Sequence, residues 1–175
     1  GVGCAFVLGV LASHFQLSSF CSVYTAELYA IFRLLFHALA SRIRHLLICS
    51  DSLSSLQAVV ELYPVHPLLI KIQGLLATSQ IRGYDYRFIW VPGHKGIRGN
   101  EAADTAALAA ANGHGTVCHL VPPWDVKAHL RLQLLSSWKD EWLNVPVHAN
   151  KLRLIKPSTS TSVSYTHLRA HETGR

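Results

Sequence analysis

Residues 88–107, Phe-Ile-Trp-Val-Pro-Gly-His-Lys-Gly-Ile-Arg-Gly-Asn-Glu-Ala-Ala-Asp-Thr-Ala-Ala, join an apolar strand to an alanine-rich helix through a glycine-studded loop. The loop holds His94 and leads to Glu101 and Asp104. Two further acids stand out, Glu27 amid Tyr24, Leu28 and Ile31, and Asp51, two residues after the apolar run that ends at Cys49. An acid near the buried face of a helix costs several kcal/mol, in order of magnitude, unless a cation meets its charge. Carboxylates from separate elements suit a hard divalent ion, which takes oxygen ligands. Two such ions roughly 4 Å apart clamp the attacking water and the leaving oxygen of a phosphodiester. Taken singly, each residue has a plainer use. Glu27 and Asp104 complement helix N-termini, Asp51 caps a helix from Leu53, and His94 bonds to its own loop. Only the joint arrangement with the loop from Gly93 to Asp104 favours metal chemistry.

The elements that must position these residues are legible from periodicity. Gly1 to Leu11 and His14 to Phe20 read as a hairpin. Tyr24, Leu28, Ile31, Leu35 and Ala38 recur at helical spacing, predicting a buried amphipathic helix capped at Thr25 and ending near Ser41, with Glu27 in its first turn. His45 to Cys49 is a strand, Leu53 to Leu62 a helix stopped by Pro64, His66 to Ser79 another helix, Tyr84 to Val91 a strand, and Asn100 to Ala111 the last core helix. A hairpin followed by strands alternating with helices indicates an α/β domain with a mixed sheet whose later strands are parallel. Sites in such sheets form beyond the C-terminal ends of the parallel strands, which is where Asp51 falls.

Composition sets the frame. The 175 residues are 50% hydrophobic and 15% charged, which fits one globular domain plus an appendage. A net charge of +6, from 16 Lys and Arg against 10 Asp and Glu, leaves the surface basic if several acids share one cleft, and so suits a polyanionic partner. Cys4, Cys21, Cys49 and Cys118 are widely spaced singletons, arguing against a zinc knuckle or a disulfide scaffold. No apolar run of the length that crosses a bilayer and no leader-like start is evident, so a soluble intracellular domain is expected. The chain begins at Gly1 and contains no methionine, as expected of an internal piece of a longer product.

Thr25-Ala26-Glu27, Cys49-Ser50-Asp51-Ser52 and Val91-Pro92-Gly93-His94-x-Gly96-Ile97-x-Gly99-Asn100-Glu101-x-Ala103-Asp104 together resemble type 1 ribonuclease H, in the form carried by non-LTR retrotransposon polyproteins. The resemblance covers about residues 1–112. It implies a three-layer fold, a mixed five-stranded sheet with helices on both faces, and hydrolysis of the RNA strand of an RNA–DNA hybrid by two Mg²⁺ ions, with Mn²⁺ as a substitute. It further implies that Glu27, Asp51 and Asp104 are three of four metal-binding carboxylates and that His94 assists proton transfer or product release. Ser52, Asn100 and Glu101 match positions lining the same edge, with Asn100 toward the substrate backbone. The hybrid would be read through 2′-hydroxyls and groove shape, and an upstream reverse transcriptase domain of the same polyprotein would supply it. The fourth carboxylate belongs to an opening strand that precedes the match, so the expectations are an inactive fragment and a gap in the sheet between the hairpin and the Asp51 strand.

Beyond residue 112 the character changes. Residues 113–157 predict a helical segment from about Trp124 to Leu143 carrying Trp138 and Trp142, similar with the following Asn150 to Pro157 to the region after this domain in arthropod-type retrotransposon polyproteins. Residues 158–175 read as a disordered tail, foreign to the chain from about residue 162. Two readings of function compete: a two-metal nuclease, and a binding remnant that keeps the fold and basic surface without catalysis. An acyl or phosphoryl transferase is disfavoured, since no nucleophile elbow and no phosphate-cradling Gly-Lys-Ser/Thr loop is present.

Overall fold

The computed structural model describes residues 1–119, 122–146, 148, 149 and 152. The tail proposed from residue 158 and most of the segment from Asn150 to Pro157 lie outside the described residues. One compact unit spans Gly1–Val126, and a second begins at Lys127.

The first unit is α/β. Strands β1 (Val2–Leu8) and β2 (Leu11–Leu17) form the antiparallel hairpin, with Cys4 opposite Phe15 and Val2 opposite Leu17. Alternation puts Cys4, Phe6, Phe15 and Leu17 on one buried face. That face packs on helix α1 (Val23–Ala40), where Leu28, Ile31, Leu35 and Ala38 are buried as their spacing predicts. The cap is Ser22, not Thr25: the Ser22 hydroxyl accepts from the Thr25 amide at 3.1 Å, and Thr25 itself is fully buried. Starting at Val23 therefore moves Glu27 out of the first turn. α1 has the length and mean hydropathy of a bilayer span, although half of it is buried in this core. Arg33 also lies here, its guanidinium 4.4 Å from the Phe15 ring centre and 3.3 Å from the Tyr29 hydroxyl, to which it donates.

Strand β3 (His45–Ser50) pairs in parallel with β4 (Asp85–Trp90), Ser50 opposite Trp90, so both strands end level at Asp51 and Val91. Between them run helices α2 (Leu53–Val59) and α3 (Pro67–Ile81). The first stops before the expected Leu62. The Gln73 side-chain amide donates to the carbonyls of both Val59 and Glu61, at 3.1 and 2.7 Å, and so supplies partners for the chain leaving the helix. At the start of α3 the His66 imidazole accepts from the Leu68 amide and Pro67 occupies the first turn.

Helix α4 (Arg98–Ala109) covers the opposite face of the hairpin. Contact is close enough that a Cβ on Gly3 would meet the Ala107 carbonyl oxygen at 1.9 Å, so only glycine fits there. A π-helical turn (Ala110–His114) then leads to β5 (Thr116–Val117), which adds to β2 in parallel, with the Cys118 amide donating to the Gln16 carbonyl. That pairing carries the compact unit past residue 112. Five strands are thus present among the described residues, but in two sheets, β1-β2-β5 and β3-β4. The break falls between β1 and β3, where the resemblance leaves a gap. Helices cover both faces only at the hairpin; on β3 and β4, Leu47 and Ile89 point outward, 60% and 46% exposed.

Helix α5 (Pro123–Asn144) matches the predicted segment closely. Beyond Lys127 it exposes Leu130, Leu132, Leu134 and Trp138.

Candidate active site

The break in the sheet is also a cavity of about 390 Å³. Its walls are consecutive residues of β1 and β3, with α1 on one side and α4 on the other, and Glu27, Asp51 and Asp104 all line it. Each acid arrives on a different element: Glu27 from α1, Asp51 from the turn after β3, and Asp104 from α4. The three acids predicted from sequence thus line one cavity, each from its own element.

Their electrostatics report the proximity. Glu27 is pushed up from an ordinary 4.5 to about 7, first by burial and then by the negative charges of Asp51 and Asp104. Asp104 is raised as well, mainly by burial and by Asp51, while His94 opposes the rise. His94 stands on the rim, 84% exposed in its side chain, with Nδ1 3.6 Å from Asp104 Oδ2. Its backbone is left-handed, at φ 53°, which the glycine-rich loop tolerates and which turns the imidazole toward α4. Asp104 Oδ2 is buried and accepts no hydrogen bond.

The neighbouring residues hold the acids in place. Asn100 donates its side-chain amide to Asp51 Oδ2 at 3.1 Å, and the Trp90 indole donates to the Asp51 carbonyl at 3.0 Å. Glu101 accepts from the Gly96 amide at 3.2 Å, tying the loop to the first turn of α4. Ser52 donates to the Ser55 hydroxyl at 2.8 Å and so faces α2. Asn100, Glu101 and Ser52, which the resemblance puts on the substrate edge, each make these bonds within the chain, and Asn100 also lines the cavity. Gly93 permits the close approach of loop and acid, because a Cβ there would lie 2.7 Å from Asp51 Oδ2.

No family model matches this chain, and no curated protein matches it. What the site can do is read from its own chemistry. The donors are carboxylate oxygens, the set that a hard cation such as Mg²⁺ prefers. Asp104 Oδ2, buried without a hydrogen bond, and Glu27, pushed up first by burial and then by the charges of Asp51 and Asp104, both fit a site completed by positive charge. Among the described residues no three His, Cys, Asp or Glu side chains stand as a closed metal cage, so the acids share a field across the cavity without already forming one. Lys95, next to His94 in the chain, and Arg98, the first residue of α4, are both exposed.

Sequence reasoning missed Trp90 and Cys4. Parallel register explains the first: strands that end level bring Trp90 to the turn that holds Asp51. Cys4 lies near enough to Glu27 that the carboxylate adds to burial in pushing the thiol up to about 12. A cysteine alternating with Phe6 on a strand carries no signal of that neighbour.

Proposed function

We propose that this chain is a ribonuclease H-type domain that acts on RNA–DNA hybrids, from the polyprotein of a non-LTR retrotransposon. The observation that carries the reading is that Glu27, Asp51 and Asp104, from three elements, line one cavity, with His94 Nδ1 3.6 Å from Asp104 Oδ2. Glu27, Asp51 and Asp104 would hold Mg²⁺, or Mn²⁺ in its place, and the metal would supply charge for the attacking and leaving oxygens of the phosphodiester. Asn100 and Trp90 fix Asp51, so its carboxylate enters the site already oriented. Glu101 pins Gly96 and with it the arc of loop that presents His94, whose exposed imidazole takes or gives a proton at the edge of the site. Lys95 and Arg98 meet the phosphates of an incoming hybrid.

The chain supplies three of the four carboxylates that the resemblance implies. Binding without cleavage is therefore the expected behaviour of the 175 residues alone. The test uses a labelled RNA–DNA hybrid with Mg²⁺, against duplex DNA and duplex RNA of the same sequence. Preferential binding of the hybrid, and cleavage of its RNA strand once an acid-bearing strand is joined ahead of Gly1, are the expected results. Asp51→Asn in that extended protein abolishes cleavage and leaves binding. Equal affinity for all three duplexes, or cleavage that survives Asp51→Asn, would overturn the reading.

A second reading, a basic binding module that has lost catalysis, draws on the same surface charge. It predicts binding in both proteins and cleavage in neither.

A further inference from the structure

The N-terminal ends of β3 and β4 form a pole far from the acids: Asp51 follows His45 along β3 at about 3.3 Å per residue, which separates them by roughly 20 Å. Two loops meet at this pole, one leaving α1 and one leaving α3. They are tied together, with the Asp85 amide donating to the Arg44 carbonyl at 2.7 Å and the Tyr86 hydroxyl to the Ile43 carbonyl at 2.8 Å. Arg42, Arg44 and His45 on one side and Arg82 on the other are exposed. Residues 28–50 and 62–84 contain no Asp or Glu, so the elements behind the pole bring no acid to it. Asp85 is the acid at hand, and Arg87 engages it at 2.9 Å.

Both helices end in the same turn. After α1 the Arg42 amide donates to the Leu39 carbonyl at 3.2 Å and the Ile43 amide to the Ala38 carbonyl at 2.9 Å; after α3 the Gly83 amide donates to Gln80 and the Tyr84 amide to Ser79, each at 2.9 Å. That turn needs one left-handed residue, for which glycine is the unstrained choice, and α3 has it in Gly83 at φ 69°. After α1 the same position holds Arg42, at φ 55°. Glycine would serve the fold better, so a strained arginine on an exposed loop points to a use for its guanidinium. Offsetting the helix dipole is not that use, since His37 already stands in the last turn of α1. Guanidinium groups suit phosphate, which they grip with two parallel bonds. Beside them stands the half-buried Tyr84, its ring centred 6.2 Å from that of Tyr86, an aromatic on which a base can stack. A duplex keeps its base faces stacked inside, so a single strand is the occupant that uses both features.

We infer that the pole formed by Arg42, Arg44, His45, Arg82 and Tyr84 is a second nucleic-acid surface, which holds a single strand by its phosphates at the end of the sheet opposite the acids. None of these residues lines the cavity, so the inference does not rest on the nuclease reading.

The test is fluorescence anisotropy of a labelled oligothymidylate of about 15 nucleotides, within the span of one small binding fold, titrated with the full chain in EDTA. Arg42→Gly relieves the left-handed strain, so the variant should melt at the parent's temperature or above it. Its binding should weaken about fivefold, as for one exposed ionic contact, and the slope of log K against log salt should become shallower by about 0.7, the share of one phosphate on a single strand. Arg82→Gln, on the neighbouring loop, should act by a similar factor, which an effect confined to the turn after α1 would not produce. Unchanged affinity in either folded variant would overturn the surface. So would a duplex of the same length bound as tightly and with the same dependence on Arg42, or phosphatidylserine vesicles bound through Arg42 when the oligonucleotide is not. Metal is left out and cleavage is not measured, so failure of the nuclease reading leaves these outcomes unchanged.

Discussion

The substitution Glu27→Gln is expected to stabilise the protein above neutral pH while removing a metal ligand. The Glu27 carboxyl rises from 4.5 to about 7 on folding, driven by burial and by the charges of Asp51 and Asp104. A raised acid pKa means that the folded state holds its proton more tightly than the unfolded one between those values. Stability from this group is therefore full below about pH 4.5 and falls as the pH rises to about 7. The difference of 2.5 in pKa corresponds to about 3 kcal/mol at roughly 1.36 kcal/mol per unit. Glutamine keeps the shape and cannot ionise. Urea denaturation of both proteins should give nearly equal stability at pH 4. At pH 8 the Glu27→Gln variant should hold an advantage approaching about 3 kcal/mol, on the order of 10 °C in Tm. Millimolar Mg²⁺ at pH 8 should raise the stability of the parent and leave the variant almost unmoved. An identical difference at both pH values would refute the electrostatic argument, because packing alone has no reason to follow the titration of this carboxyl.

Gly93→Ala brings a methyl group to within 2.7 Å of Asp51 Oδ2, so the carboxylate must turn and give up its bond from Asn100. A loss of about 1–2 kcal/mol in urea denaturation is expected, with a shifted Asn100 side-chain amide resonance; an unmoved resonance would show that the loop yields instead. Arg33→Met keeps the apolar stem and removes the guanidinium over Phe15 together with its bond to Tyr29, for a loss of about 1–2 kcal/mol. Arg33→Lys should recover less than half of that, since an ammonium lacks the planar face; a lysine variant as stable as the parent would dismiss the stacking.

Elements with strong periodicity were legible, and those set by tertiary partners were not. Leu28, Ile31, Leu35 and Ala38 mark the inner face of α1 by spacing alone, and the helix is where that spacing puts it. Its cap was misplaced because Ser22 and Thr25 are both good capping residues, and burial of Thr25 decides between them. The end of α2 depends on Gln73, more than a dozen residues away, which no local pattern announces. β5 is a two-residue strand whose existence rests on the Gln16 edge, so its sequence has no period to read. At the site, residue types pointed to the three acids and His94. The hydrogen bonds that Asn100, Glu101 and Ser52 make within the chain turn on which neighbour lies within reach, and that distance is a property of the fold.

Two unmet demands meet in one cavity, and they differ in kind. The first is charge: Glu27 and Asp104 are raised by burial and by their neighbours, and one Asp104 oxygen is buried without a donor. A cation answers it, and no peptide backbone can, since amide groups carry no net charge to offset a carboxylate cluster. The second is main-chain pairing along β1 and β3, which a cation at one end of the gap cannot satisfy over the length of a strand. A strand and a metal therefore do not compete for the same groups. The acid-bearing strand proposed ahead of Gly1 would join the sheets and fix the distance between α1 and β3, and with it the spacing of Glu27 and Asp51. Pairing of the edges should thus tighten metal binding, because acids held at fixed separation lose less freedom when an ion closes on them.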